Sequence, residues 1–143
     1  MKHKYLNNIE FISRAIIIKN QKILLCYGEK SGYYYFPGGH VEFGETAKVA
    51  LKREIKEETS LSSKIGSLIG IVENFFTEKR IKHHEINFVF TATIPTEKVA
   101  SAESHINFKW LDLKDTNKKT IFPVLLKKNL IKWLKTRKPF LSV

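Results

Sequence analysis

The sequence predicts an α+β fold, a mixed β-sheet with two helices packed against it, on three observations. Runs of β-branched and aromatic residues come in the order strands, helix, strands, helix, which is not the regular alternation of a doubly wound parallel sheet. Apolar residues shift from strand spacing to helical spacing after residue 46 and again after Pro123. With 143 residues and 43% apolar content, the chain can bury one sizeable core, so a single domain over 1–143 is expected.

The elements follow in order. FISRAIIIKN and KILLCYGE are apolar runs separated by Asn20-Gln21, the pattern of a two-stranded hairpin. Tyr33 to Phe36 form a short aromatic run, and Pro37-Gly38-Gly39 reads as a turn that ends it. Over 46–59 the spacing predicts a helix, with Thr46 as N-cap and Ala47, Ala50, Leu51 and Ile55 on one face. KIGSLIGIVENFF then reads as a long strand, TEKRIK as a polar loop and HEINFVFTATI as the returning strand, closed by Pro95. INFKWLDL supplies another short strand. Pro123 opens a second helix, VLLKKNLIKWLKTR, with Leu126, Leu130, Trp133 and Leu134 on one face.

Charge and cysteine content narrow the classes. The 25 Lys and Arg outnumber the 14 Asp and Glu, giving a formal net charge of +11. Such a field keeps a protein soluble and also concentrates anions such as phosphate esters or nucleic acid. One cysteine, Cys26, excludes a disulfide framework or a cysteine zinc site within one chain and fits an inert buried thiol in a reducing compartment. The start, MKHKYLNNIEF, lacks the apolar run of a secretory signal, and no stretch approaches the roughly 18 apolar residues of a membrane span. A cytoplasmic protein without membrane partners is expected.

Within this basic chain, Glu54, Glu57 and Glu58 fall within an arc of roughly 100° on the first helix, and Lys48, Lys52 and Lys56 fall opposite. Sorting like charges onto one face is unfavourable by a few tenths of a kcal/mol per pair at these spacings. A solvated acidic face is the plain explanation. A hard divalent cation is the other, because it takes oxygen ligands and neutralises clustered carboxylates. Gly38 and Gly39 lie just upstream, where missing side chains allow close backbone approach, and Glu42 and Glu45 add carboxylates in the connecting loop.

These residues resemble the signature of the Nudix hydrolases: Gly, five residues, Glu, seven residues, Arg-Glu, an apolar residue, any residue, Glu-Glu, any residue, Gly and an apolar residue. Here it reads Gly39, Glu45, Arg53, Glu54, Ile55, Glu57, Glu58, Ser60 and Leu61, with serine at the last glycine. The family's glycine follows the helix, where a left-handed residue is common, and serine in that conformation costs about 1–2 kcal/mol. The resemblance implies the family's α/β/α sandwich built on a mixed sheet. It further implies hydrolysis of a nucleoside diphosphate linked to a further group by water attack on phosphorus, with Mg²⁺ or, as an alternative, Mn²⁺.

By the same resemblance Glu54, Glu57 and Glu58 match metal ligands, the Gly38 carbonyl matches a backbone ligand, and Arg53 matches an orienting residue. The Arg53 guanidinium can pair with Glu45 or Glu57. The general base varies within the family; Glu103 is the candidate here and Glu54 the second. Alternation turns His83 and His84 to opposite sheet faces, so they cannot chelate as a pair. His84, Tyr35 and Phe76 are the candidates for substrate contact, each against a plainer role in strand packing.

The substrate expected is a nucleoside di- or triphosphate or a related nucleoside diphosphate derivative. Phe76 and Thr77 stand about where ADP-ribose-cleaving members carry a proline and diadenosine polyphosphate cleavers a tyrosine. Ile121 and Phe122 stand where the oxidised-guanine branch carries an asparagine. From Thr116 onward there are eight Lys or Arg and no acid, and Lys128, Lys132 and Lys135 share a helix face. RNA is therefore an alternative partner, and a 5′-end pyrophosphohydrolase an alternative enzyme. A non-catalytic nucleotide- or RNA-binding module is the third reading, and either a monomer or a homodimer is compatible.

Overall fold

The computed structural model describes residues 8–143; residues 1–7, part of the segment read above for a secretory signal, lie outside it. Among the described residues, ten strands and two α-helices form two five-stranded sheets with a helix on either side. The first sheet contains β1 (Ile9–Ile16), β5 (Gly38–His40), β6 (Lys64–Glu78), β7 (Ile81–Thr93) and β10 (Phe140–Ser142), in the order β10-β6-β7-β1-β5. The second contains β2 (Ile18–Lys19), β3 (Lys22–Tyr27), β4 (Tyr34–Tyr35), β8 (Asn107–Asp112) and β9 (Ile121–Phe122). Parallel pairs (β1 with β7, β6 with β10, β4 with β9) sit among antiparallel ones, so the sheet is mixed as expected.

Two packed clusters explain the layering. On one side Ile16, Val72, Val89 and Leu25 meet Leu126, Leu130 and Trp133 of helix α2 (Val124–Thr136). On the other, Ala15, Leu24 and Phe90 meet Leu51 and Ile55 of helix α1 (Ala47–Thr59). β3 feeds both clusters, and for that reason KILLCY is a continuous apolar run rather than an alternating one. Cys26 is fully buried in it, and burial raises its thiol pKa, so the thiol is inert.

Three expectations change. Only β2 pairs β3 around Asn20-Gln21; the longer β1 leaves at Ile17 and pairs parallel with β7, while β3 takes β8 as its long partner. TEKRIK is not a loop: β6 and β7 continue to a two-residue turn at Lys79-Arg80, whose φ angles of 48° and 67° suit the twist of a tight hairpin. Gly38 and Gly39 do not form a turn but belong to β5, an edge strand antiparallel to β1. No helix among the described residues is long and apolar enough to cross a membrane.

Helix α1 starts and stops as its sequence dictates. The Thr46 hydroxyl accepts from the Val49 amide at 3.2 Å, satisfying one free N–H of the first turn. Ser60 ends the helix with φ 61° and its amide donating to Lys56 O at 2.9 Å. A serine held there is strained by its Cβ. Ser60→Gly is expected to stabilise the fold by about 1 kcal/mol, read as a rise in Tm of about 3 °C, with turnover little changed. A fall in turnover would give Ser60 a chemical role.

Candidate active site

Glu58 lies three residues after Ile55 and seven after Leu51, so it shares the inward face of α1 and is only 6% exposed. Its Oε2 is buried without a hydrogen-bond partner. Burial, reinforced by the Glu54 and Glu103 carboxylates, pushes its pKa up to about 8, while Arg14 and the Gly38 amide oppose the rise. Glu54 rests against Gly39, where a side chain would collide with its carboxylate, and Gly38 adopts φ 136° with its α-carbon against the Ser13 carbonyl. Both glycines are therefore required by close approach.

Arg53 organises the neighbouring carboxylates. Its Nε and Nη2 donate to the two oxygens of Glu45 at 3.2 and 2.6 Å, Nη1 to Glu54 at 2.9 Å and to Glu57 at 3.3 Å, and Nη2 to His40 O at 2.9 Å. All five guanidinium donors are thus used. The pairing raises the Arg53 pKa and lowers that of Glu45. The sequence suggested Glu45 or Glu57 as partner, and Arg53 engages both.

Glu103 comes from the loop before β8, which is tied to the end of α1 by the Ala102 amide donating to Glu58 O at 2.7 Å. A local turn fixes it, with the Glu103 amide donating to Ser101 Oγ at 3.1 Å. Its carboxylate meets His105 at 3.3 Å. The Glu103 carboxylate helps to raise the Glu58 pKa, so two acidic groups from distant parts of the chain act on one another.

A cavity of about 850 Å³ adjoins this acidic patch. Tyr33, Tyr35, Phe76 and Phe122 give it aromatic walls, and Arg14, Tyr35 and His105 connect it to Glu58 and Glu103. Burial pushes the Tyr35 phenol up to about 12. Tyr33 packs edge-on to Phe122, while Tyr34 turns the other way onto Tyr27. His84 does not itself line the cavity; its ring stacks on Phe75, which does, and meets Glu73 at 2.6 Å. It is His83 that stacks on Phe76, at 4.5 Å. Sequence reasoning also missed Arg14, whose signal was a charge inside the otherwise uncharged run FISRAIII.

The donor set fits a divalent cation. A buried, partnerless carboxylate oxygen that two further carboxylates push toward the protonated form is a group that a hard cation offsets, and all the donors are oxygen. Among the described residues no three His, Cys, Asp or Glu side chains are gathered as a ready-made cluster, and Glu54 and Glu57 are turned to Arg53.

A NUDIX domain model matches residues 11–134. An ADP-ribose pyrophosphatase of Methanocaldococcus jannaschii is 31% identical over 122 residues, covering 83% of this chain and 71% of that protein. The human 8-oxo-dGDP phosphatase NUDT18 is also 31% identical, over 68% of this chain but only 31% of its own length. Among solved structures, a MutT protein from Methanosarcina mazei superposes with a TM-score of 0.78 at 22% identity, covering 94% of this chain and 99% of that one. The chain belongs to the Nudix family and is a Nudix pyrophosphohydrolase.

Two measurements test the site. In the metal-free chain Glu58 is protonated more readily folded, with a pKa of about 8, than at its ordinary 4.5. That contribution to stability is complete below the lower value and is lost as pH rises through the higher one. The Tm of metal-free protein should fall across this window, and Glu58→Gln should remove that part of the fall. Arg53→Lys, which keeps the charge but loses the planar fork, should lower turnover by about 10–100-fold, seen in steady-state rates with Tm recorded in parallel.

Proposed function

We propose that the chain, as one Nudix domain over 1–143, hydrolyses a pyrophosphate bond in a nucleoside diphosphate derivative or a nucleoside di- or triphosphate. The supporting observation is the buried, unpartnered Glu58 carboxylate oxygen, whose pKa Glu54 and Glu103 raise, together with Arg14, which acts on Glu58 and also lines the aromatic cavity. In this reading Glu54, Glu57, Glu58 and the Gly38 carbonyl hold Mg²⁺, with Mn²⁺ as alternative. The bound cation would neutralise phosphate charge and acidify water.

The chain's own groups supply the rest. The base lies in the cavity between Tyr35 and Phe76, and the phosphates extend toward Arg14 and the acidic helix. Arg14 lines the cavity and also acts on Glu58, so it offers positive charge between the two. Glu103 accepts the proton of the attacking water, Glu54 being the second candidate. The new phosphorus–oxygen bond forms as the bridging bond breaks, and its electron pair leaves with the departing phosphate. Arg53 holds Glu54 and Glu57 in place. Buried, free Cys26 suits a cytoplasmic setting.

Lys128, Lys132 and Lys135 are exposed along α2, whose first residue, Val124, lines the cavity. This supports RNA 5′ ends as a second substrate class, marked by steep salt dependence on RNA and little on free nucleotide. The test is phosphate release from a panel of nucleotides, nucleotide sugars and triphosphorylated RNA with Mg²⁺ or Mn²⁺. Glu57→Gln should reduce metal-dependent release by on the order of a hundredfold. Release unaffected by chelator and by Glu57→Gln would refute the metal site.

A further inference from the structure

One buried carboxylate is not used by the chemistry above. Glu85, on β7, lines the aromatic cavity yet is only 6% exposed. Asn74 Nδ2 and Asn87 Nδ2 each donate to its Oε2 at 3.3 Å. Arg14 Nε donates to Asn87 Oδ1 at 3.1 Å, and Arg14 Nη1 to Phe36 O at 3.0 Å. Arginine can only donate, so Asn87 must present its oxygen to Arg14 and its NH₂ to Glu85. The carboxylate is thereby fixed through one oxygen. The other, Oε1, makes no hydrogen bond to a described residue, and the side chain lines the cavity.

We propose that Glu85, anchored by Asn74 and Asn87, is the base-reading residue of this cavity and selects guanine nucleotides; the inference rests on the function proposed above. An ionised carboxylate only accepts, so it favours the base edge richest in N–H donors. Guanine alone carries a ring N–H beside an exocyclic amine. Adenine and cytosine place a ring acceptor next to their amine, and uracil flanks its single N–H with two carbonyl oxygens, each of which would face Glu85 unfavourably. The aromatic walls at Tyr35 and Phe76 hold any base, and Glu85 discriminates among them. Arg14 couples this end of the cavity to the phosphate end.

The test compares GDP-linked and UDP-linked substrates carrying the same leaving group, with wild type, Glu85→Gln and Asn74→Ala. Wild type should prefer the guanine substrate in kcat/KM by at least about tenfold. Glu85→Gln should collapse that ratio by lowering the guanine rate while the uridine rate persists. Asn74→Ala, which frees the carboxylate without deleting it, should raise KM for the guanine substrate alone. An unchanged ratio in a Glu85→Gln protein that keeps its Tm overturns the proposal. If Glu85→Gln fails to fold, an unaltered guanine KM in Asn74→Ala does so. If wild type hydrolyses neither substrate, the functional reading fails first, and calorimetric binding of GDP and UDP then decides: equal affinities overturn the proposal, and a guanine preference lost in Glu85→Gln supports it.

Discussion

Glu58 is held on the inner face of α1 with one carboxylate oxygen buried and unpartnered, beside the carboxylates of Glu54 and Glu103. Removing such a group from water without a partner costs several kcal/mol, and proteins relieve the cost by neutralising it. In the metal-free chain a proton does this, which is the physical content of the raised pKa. A cation would do it without a proton. The glycines, the Arg53 hub and the docked Glu103 loop all have a purpose once Glu58 is required to stay where it is.

The fold enforces that requirement from three directions. Ile55 and Leu51 anchor α1 in the second core, so Glu58 cannot rotate outward without breaking apolar packing. β5 is pinned to β1 at Gly38, where any Cβ would strike the Ser13 carbonyl. The Glu103 loop is fastened to the helix end through the Ala102 amide. Arg53, meanwhile, gathers Glu45, Glu54 and Glu57 around a single guanidinium, offsetting repulsion that the helix spacing would otherwise impose. Site geometry and core packing are consequently one problem.

Much of this was legible in the sequence, and the remainder was hidden for definite reasons. Helix α1 announced itself through Thr46, its apolar spacing and the fixed positions from Gly39 to Leu61. The partnership of β1 with β7 was not legible, because a strand that changes sheets at Ile17 carries no local mark of doing so. β5 was missed because two glycines have no strand propensity and are there for close approach. The turn at Lys79-Arg80 lacks the Asn or Gly that usually signals positive φ. His84 does not itself line the cavity but stacks on Phe75, which does, while its neighbour Glu85 is on the lining, a distinction that sequence alternation alone does not assign. The Arg14–Asn87–Glu85 network was visible only as polar residues interrupting apolar runs. Its meaning came from the β1–β7 register that brings those strands side by side.

The most direct measurement is a Mn²⁺ titration followed by electron paramagnetic resonance, comparing wild type with Glu58→Gln, with and without nucleotide. Wild type should bind saturably, and binding should weaken sharply in the variant while the fold is kept. Binding of equal strength in both proteins, or none in wild type even with nucleotide present, would contradict it.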